Sequence, residues 1–213
     1  MTTEYSAQNL EELINKIAQH GFAIMNNFLP QSTLLKLADE IAVLQNKALM
    51  QDAGTGRNTF TSSRTINKTL RGDLIYWLNE ADTSLPQQDY FMRMEALRLL
   101  LNQQLYLGLF ALESHLALYP AGSAYKKHID RFATVVDGKP VRQVSSILYL
   151  NQDWTEADGG HLRLYKTAED DSEYLDISPI SGKLVVFLSD TFYHEVLPAT
   201  LHRMSLTGWF LTR

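Results

Sequence analysis

KLVVFLSDTFYHEVLPATLHRMSLTGWFL, residues 183–211, holds three short runs rich in β-branched, aromatic and leucine residues, at Lys183–Leu188, Tyr193–Val196 and Arg203–Leu211. Polar turn-forming residues around Asp190 and Pro198 separate them. Short runs bounded in this way read as strands of a sandwich or barrel. Toward the N-terminus the same texture recurs at Ser114–Tyr119, Val141–Leu150, His161–Tyr165 and Leu175–Ile177. Before His115 the pattern is helical. Leu10, Leu13, Ile14 and Ile17 repeat behind Asn9, Glu12 sits as in a capping box and Gly21 as a stop, predicting a helix over Asn9–His20. Phe22–Met25 reads as a buried strand. Leu34, Leu37, Ile41 and Leu44 mark a second helix to about Met50, and Met94, Leu97, Leu101 and Leu105 a third over Gln87–Phe110. Helices first and strands afterwards predict an α+β chain, with a helical layer over residues 1–113 supporting a jelly-roll core over residues 114–213. At 213 residues, one domain is expected.

Composition narrows the function classes. A net charge of -5 and a pI near 5.7 provide no global attraction to nucleic acid, so no nucleic-acid partner is expected. With no cysteine, disulfides, thiolate metal sites and cysteine nucleophiles are excluded, and any metal must be held by nitrogen and oxygen. The start, MTTEYSAQNLEEL, lacks the basic and apolar regions of a secretory signal, and no apolar stretch approaches the roughly 20 residues of a membrane span. A cytoplasmic enzyme without a membrane partner is the expectation. One long polar segment, QDAGTGRNTFTSSRTINKTLR at Gln51–Arg71, breaks the periodicity and carries Arg57, Arg64, Lys68 and Arg71. It reads either as a solvated loop or as a functional one.

The chemistry concentrates at three places. His128 and Asp130 are spaced i, i+2, which on a strand puts both side chains on one face. Composition alone predicts about 0.7 such pairs by chance, so the pair carries little weight by itself. His194, between two β-type runs, would complete a set of two imidazoles and one carboxylate, the facial triad that leaves three positions open on Fe(II). Standing alone, His194 reads as a core or turn histidine. Arg203 opens the apolar final run nine residues later, where one hairpin return would bring it beside the metal. A guanidinium there can hold a carboxylate through two parallel hydrogen bonds, the alternative being an internal partner such as Glu195 or Asp190.

Six ordered blocks extend the pattern: RGDLIYW (Arg71–Trp77), YPAGSAYKKHID (Tyr119–Asp130), RQVSSILYLNQDW (Arg142–Trp154), GGHLRLY (Gly159–Tyr165), SDTFYHEV (Ser189–Val196) and RMSLTGW (Arg203–Trp209). Together they resemble prolyl 4-hydroxylases of the Fe(II)/2-oxoglutarate dioxygenase superfamily related to the hypoxia-inducible-factor prolyl hydroxylases. The resemblance implies a double-stranded β-helix core, the cofactors Fe(II), 2-oxoglutarate and O2, and stimulation by ascorbate. It implies that His128, Asp130 and His194 bind iron and that Arg203 and Tyr149 hold the distal carboxylate of 2-oxoglutarate. Tyr119 would lie near the metal-chelating end, although the stretch from Tyr119 to His128 is one residue shorter than in animal relatives. Thr207, Trp209, Ile147 and Leu162 would line the pocket, and Tyr125 would flank the metal strand. Asp73 and Arg142 match a pair that ties a substrate loop to the core, which predicts a salt bridge between them. Gln51–Arg71 would be a lid over the substrate peptide.

The implied partner is a protein with a target proline, and the resemblance to the bacterial branch points to translation elongation factor Tu; a monomer is the expectation, although the sequence does not fix the oligomeric state. The match stops at Arg213, without the C-terminal helix of animal relatives. Alternatives within the superfamily are a small-molecule hydroxylase or a nucleic-acid demethylase. The demethylases carry a second arginine six residues after the first, where this chain has Trp209. A non-catalytic jelly-roll module that keeps a metal is the alternative from another class.

Overall fold

The computed structural model describes residues 6–57, 64–65, 70–131, 140–167 and 170–213. Three helices, α1 (Ala7–His20), α2 (Gln31–Asn46) and α3 (Leu85–Leu105), alternate with β1 (Phe22–Met25), β2 (Gln51–Asp52), β3 (Thr55–Arg57), β4 (Arg64–Thr65) and β5 (Leu74–Trp77). Strands then dominate: β6 (Ala111–Tyr119), β7 (Tyr125–His128), β8 (Val141–Tyr149), β9 (Leu162–Tyr165), β10 (Tyr174–Ile177), β11 (Leu184–Leu188), β12 (His194–Val196) and β13 (Arg203–Thr212). They form a seven-stranded sheet in the order β1-β11-β8-β13-β6-β5-β2, facing a four-stranded sheet in the order β10-β9-β12-β7. The named pairings in both sheets are antiparallel. This is the expected double-stranded β-helix, backed by helices.

The large sheet is buried on both faces, which explains why its strands read as nearly continuous apolar runs. Leu116, Leu118, Val144, Leu148, Val186, Leu206 and Phe210 face a core shared with Leu13 and Ile17 of α1, Leu34 and Leu37 of α2 and Met94 and Leu97 of α3. The alternate residues Tyr119, Ile147, Tyr149, Val185 and Phe187 face the small sheet and meet Leu162, Leu164 and Val196 there. Full burial of one such side chain is worth about 1.5–3 kcal/mol, so the sheet is pinned from both sides. Its register is therefore strongly specified, because a slip of one residue would exchange the two cores.

Several boundaries differ from the sequence reading for local reasons. Helix α1 starts two residues early because Ser6, not Asn9, is its N-cap, the Ser6 Oγ accepting from the Asn9 N–H. Helix α3 stops at Leu105 rather than Phe110. Tyr106 turns left-handed at φ 55°, and the Asn102 side chain exchanges two 2.7 Å hydrogen bonds with the Leu109 backbone. Helix α2 ends before Met50, at Asn46, with Ala48 left-handed just beyond. Strand β5 had no periodic signal of its own, since four residues show too little alternation to register. The lid expected over Gln51–Arg71 falls in part on residues 58–63 and 66–69, including Lys68, which lie outside the described residues; the described parts contribute the β3/β4 pair and β2, paired to β5. Among the described residues no helix is long and apolar enough to cross a membrane.

Candidate active site

Strands β7 and β12 are neighbours in the small sheet, with His128 directly opposite His194. Both imidazoles point between the sheets, their ring centroids 4.2 Å apart. Asp130 lies just past the end of β7, not within it, and its carboxylate completes the cluster. Its Oδ1 is 3.7 Å from His128 Nε2 and its Oδ2 is 3.6 Å from His194 Nε2. One donor atom from each residue lies within 4.8 Å of the others. The orientation is held from behind. His128 Nδ1–H donates to the Lys126 carbonyl (2.8 Å) and His194 Nδ1–H to the Phe192 carbonyl (3.1 Å), leaving each Nε2 lone pair free for the site. Ser145 Oγ donates to Asp130 Oδ2 (2.7 Å) and is itself linked to Ser189 Oγ (2.8 Å). Tyr125 stacks on His128 at 3.6 Å, as expected of a flanking residue, and Phe187 packs edge-on against His194 at 4.9 Å.

Burial and the neighbouring His194 push the His128 pKa down to about 3. Burial works against the Asp130 charge, but His194, His128, Arg142 and the Ser145 hydroxyl hold its carboxyl well below the ordinary range. At neutral pH, His128 is thus neutral and Asp130 ionised, the states in which they bind metal without first losing a proton.

At the other end of the pocket, Arg203 is 1% exposed, a charged side chain buried almost completely. Its Nε donates to the Gly160 carbonyl at 2.8 Å, but Nη2 has no hydrogen-bond partner among the described residues. The two acids that offered an internal explanation are engaged elsewhere: Asp190 pairs with Arg131 at 3.0 Å and Glu195 accepts the Tyr165 hydroxyl at 2.6 Å. Tyr119 and Tyr149 flank the guanidinium, with ring centroids 5.1 and 5.0 Å from its central carbon. Burial raises the Tyr149 pKa to about 12 despite Arg203 beside it, and the hydroxyl makes no hydrogen bond of acceptable geometry. A buried cation and a buried phenol, both with unused donors, constitute a site for an anion. Gly160 is required for this arrangement: it sits at φ +68°, and a Cβ there would lie 2.9 Å from Ala199 Cβ and 3.2 Å from Arg203 Cδ.

A narrow pocket joins the two ends. Strand β13 supplies Arg203, Ser205, Thr207 and Trp209 to its wall, every second residue of one strand. Ile147 and Leu162 also line it, as expected; Tyr119 lines it too, but beside Arg203, its register partner, and not at the metal end that the resemblance implied, and Tyr149 is fully buried beside Arg203 without being part of the wall. Arg203 is not brought there by a hairpin. β12 belongs to the small sheet and β13 to the large one, so the chain crosses between sheets and Arg203 faces the triad from the opposite wall. The sequence reading missed Arg71 and His115 as wall residues. For His115 a signal existed, because it precedes Tyr119 by four residues on β6 and therefore shares its face.

The predicted Asp73–Arg142 salt bridge does not form. Asp73, 1% exposed, is instead held by Arg71 through two hydrogen bonds of 2.6 and 2.8 Å. Arg142 pairs with Glu113 at 2.7 Å and lies 3.6 Å above the Trp209 ring. Glu113 is opposite Trp209 in the β6/β13 register, so it meets Arg142 locally, while Arg71 is only two residues from Asp73. Arg71→Met is therefore expected to cost about 3–5 kcal/mol in urea unfolding by leaving a buried carboxylate unpaired. Glu113→Gln, removing a partly exposed partner, should cost about 1 kcal/mol or less.

The geometry has counterparts in known proteins. Residues 114–211 match the model of the 2OG-Fe(II) oxygenase superfamily. The crystal structure of a Pseudomonas putida prolyl-4-hydroxylase superposes with a TM-score of 0.81 and 38% identity, covering 96% of this chain and 99% of that one. The chain belongs to the 2OG-Fe(II) oxygenase superfamily. A Trichoplax adhaerens prolyl hydroxylase, solved with a hypoxia-inducible-factor peptide fragment, also gives a TM-score of 0.81, at 28% identity over 98% of this chain and 94% of that one. Human Egl nine homolog 1 is 30% identical over 209 residues, and a Caenorhabditis elegans hypoxia-inducible factor prolyl hydroxylase 30% over 222. The chain spans only 46% and 28% of the lengths of those two proteins. Members of the superfamily use Fe(II), 2-oxoglutarate and O2. The donor sets fit them: two imidazoles and a carboxylate, with no fourth ligand among the described residues, suit non-haem Fe(II), and a buried guanidinium with an unused Nη2 suits a carboxylate.

Proposed function

We propose that this oxygenase is a protein prolyl 4-hydroxylase, with residues 1–213 working as one domain. In this reading His128, Asp130 and His194 hold Fe(II), while Arg203 and Tyr149 hold the distal carboxylate of 2-oxoglutarate. The observation that carries it is one pocket containing both the three-residue metal set and a buried guanidinium whose Nη2 is unused among the described residues. Similarity to prolyl hydroxylases over nearly the whole chain supports proline as the target. Resemblance to the bacterial branch extends the reading to elongation factor Tu as substrate, met in the cytoplasm.

Each protein group has a definable task. The Gly160 carbonyl fixes Arg203 at Nε, so that Nη2 is presented to a carboxylate without further ordering. Tyr149, kept protonated by burial, contributes a neutral O–H donor beside it. The Nδ1 hydrogen bonds of His128 and His194 and the Ser145–Asp130 bond keep the three metal donors convergent. Ile147, Leu162 and Val196 make the space between the two ends apolar and limit water there. When bound, Fe(II) and 2-oxoglutarate supply the oxidising chemistry, in which O2 converts the co-substrate to succinate and carbon dioxide and leaves one oxygen atom on C4 of the proline.

The reading is tested by incubating purified elongation factor Tu with Fe(II), 2-oxoglutarate and either the wild type or His194→Ala, then mapping added oxygen by mass spectrometry. Oxygen on a proline only with the wild type is the expected result. Oxygen on lysine or asparagine would overturn the prolyl assignment, and its absence from elongation factor Tu while another lysate protein is hydroxylated on proline would overturn only the substrate.

A further inference from the structure

The Gly160 carbonyl that holds Arg203 belongs to a segment with restraints of its own. Residues 151–160, NQDWTEADGG, follow β8 and reach Arg203 from two sides. On the first side stands Asn151, a buried amide at 2% exposure. Its Oδ1 accepts the Met204 N–H at 2.6 Å and its Nδ2 donates to the Pro179 carbonyl at 2.7 Å. The Met204 carbonyl accepts the Leu150 N–H at 3.2 Å. The peptide groups on both sides of Met204 are thereby fixed, and with them the backbone from which the Arg203 side chain departs.

On the second side are Gly159 and Gly160, consecutive residues with φ of 70° and 68°. Glycine adopts this conformation without steric cost, but it carries no side chain to hold it there. The restraint comes from Trp154, whose Nε1–H donates to the Gly159 carbonyl at 3.1 Å. At the other end of the same peptide group, the Gly160 N–H donates to the Pro198 carbonyl at 2.9 Å. Between Trp154 and Gly159 the chain is closed by Asp158, whose Oδ2 accepts from the Thr155 N–H at 2.8 Å and from its hydroxyl at 2.7 Å. The next carbonyl along is the one that receives Arg203 Nε, so any rotation of the Gly159–Gly160 peptide would carry that acceptor with it. Neither Asn151 nor Trp154 lines the pocket.

We propose that Trp154 and Asn151 are positioning residues that act through Gly160 and Met204 to fix the reach of Arg203 toward the metal set. The fixed reach selects the length of the 2-oxo diacid held between the two. The inference rests on the 2-oxoglutarate reading above. An arginine side chain has many rotamers, and one that is free to adapt meets carboxylates at several distances. Held at its backbone and at Nε, Arg203 presents Nη2 at one distance, which suits the five-carbon acid and not 2-oxoadipate, one methylene longer.

The test is calorimetry on the protein loaded with redox-inert Mn(II), titrated separately with 2-oxoglutarate and 2-oxoadipate, using wild type, Trp154→Phe, Trp154→His and Asn151→Leu. The wild type should bind 2-oxoglutarate about tenfold or more tighter than 2-oxoadipate. Trp154→Phe keeps an aromatic ring and loses the N–H, and Asn151→Leu frees the Met204 N–H. Each should weaken 2-oxoglutarate about five- to tenfold, as expected for one hydrogen bond, and cut the preference to about threefold or less. Trp154→His, whose Nε2–H takes the place of the indole N–H in a five-membered ring, should restore most of the preference. Equal losses for the two acids would show a merely structural role and overturn the proposal, as would an unchanged preference in either folded variant or a wild type without the preference. Trp154→Phe decides alone if Asn151→Leu does not fold. Failure of the Mn(II)-loaded wild type to bind 2-oxoglutarate would overturn the underlying reading as well, and so is distinguishable from failure of the positioning residues alone.

Discussion

Asp130→Ala is expected to lower proline hydroxylation at least about 100-fold while leaving a folded protein. Disturbing groups that merely orient a metal ligand costs about 10–100-fold in affinity or activity, so deleting one of three ligands must cost more. The scaffold should tolerate the change. Asp130 lies in a bend beyond β7, and after substitution Ser145 and Ser189 retain the 2.8 Å contact between their hydroxyls. Removing the carboxylate also removes a buried charge whose compensation depends on the site's own imidazoles and Arg142. Thermal unfolding of the metal-free protein should therefore change little, whereas Mn(II) binding by calorimetry should collapse. A metal affinity equal to that of wild type in Asp130→Ala would refute the three-residue metal set.

Arg203→Met should separate binding from stability in a similar way, with opposite signs. Loss of a paired, desolvated guanidinium is expected to weaken 2-oxoglutarate about 100-fold. The unliganded protein, by contrast, carries this cation at 1% exposure with one carbonyl contact and an unused Nη2, a cost that a methionine of similar length removes. Its melting temperature without ligand should be equal to or above that of the wild type. The wild type alone should then gain strongly in stability when 2-oxoglutarate is added, because a ligand stabilises the state it binds. Arg203→Lys should fall between the two in affinity, since an ammonium keeps the charge and loses the planar fork. A melting temperature well below that of the wild type in Arg203→Met would mean that the guanidinium is a structural element and not a ligand clamp.

Much of the site was legible because strand periodicity is a rigid rule. Arg203, Ser205, Thr207 and Trp209 share a face of one strand whatever the rest of the protein does, and the small number of histidines made His128 and His194 conspicuous. The salt-bridge partners were not legible in the same way. Arg142 was matched with Asp73 through a pattern of relatives, yet in this chain the nearer Arg71 holds Asp73 while Glu113 captures Arg142. Side-chain pairing depends on which charges are within reach once strands are in register, and a linear pattern carries no distances. Tyr149 makes the same point: the resemblance paired it with Arg203, but only packing decided that its ring lies 5.0 Å from the guanidinium, buried beside it and not part of the pocket wall.

The opening stretch, residues 183–211, shows the division most clearly. By itself the sequence determined that it forms three strands, that His194 stands on one and that Arg203 opens another, because local hydrophobic alternation and turn residues act over a few positions. Only the tertiary structure decided that the second strand joins the small sheet and the third the large one. That choice sets His194 and Arg203 on facing walls of one pocket instead of side by side on a hairpin. It is made by burial of the large sheet on both faces, against the helices on one side and the small sheet on the other, an energy summed over residues from the whole length of the chain.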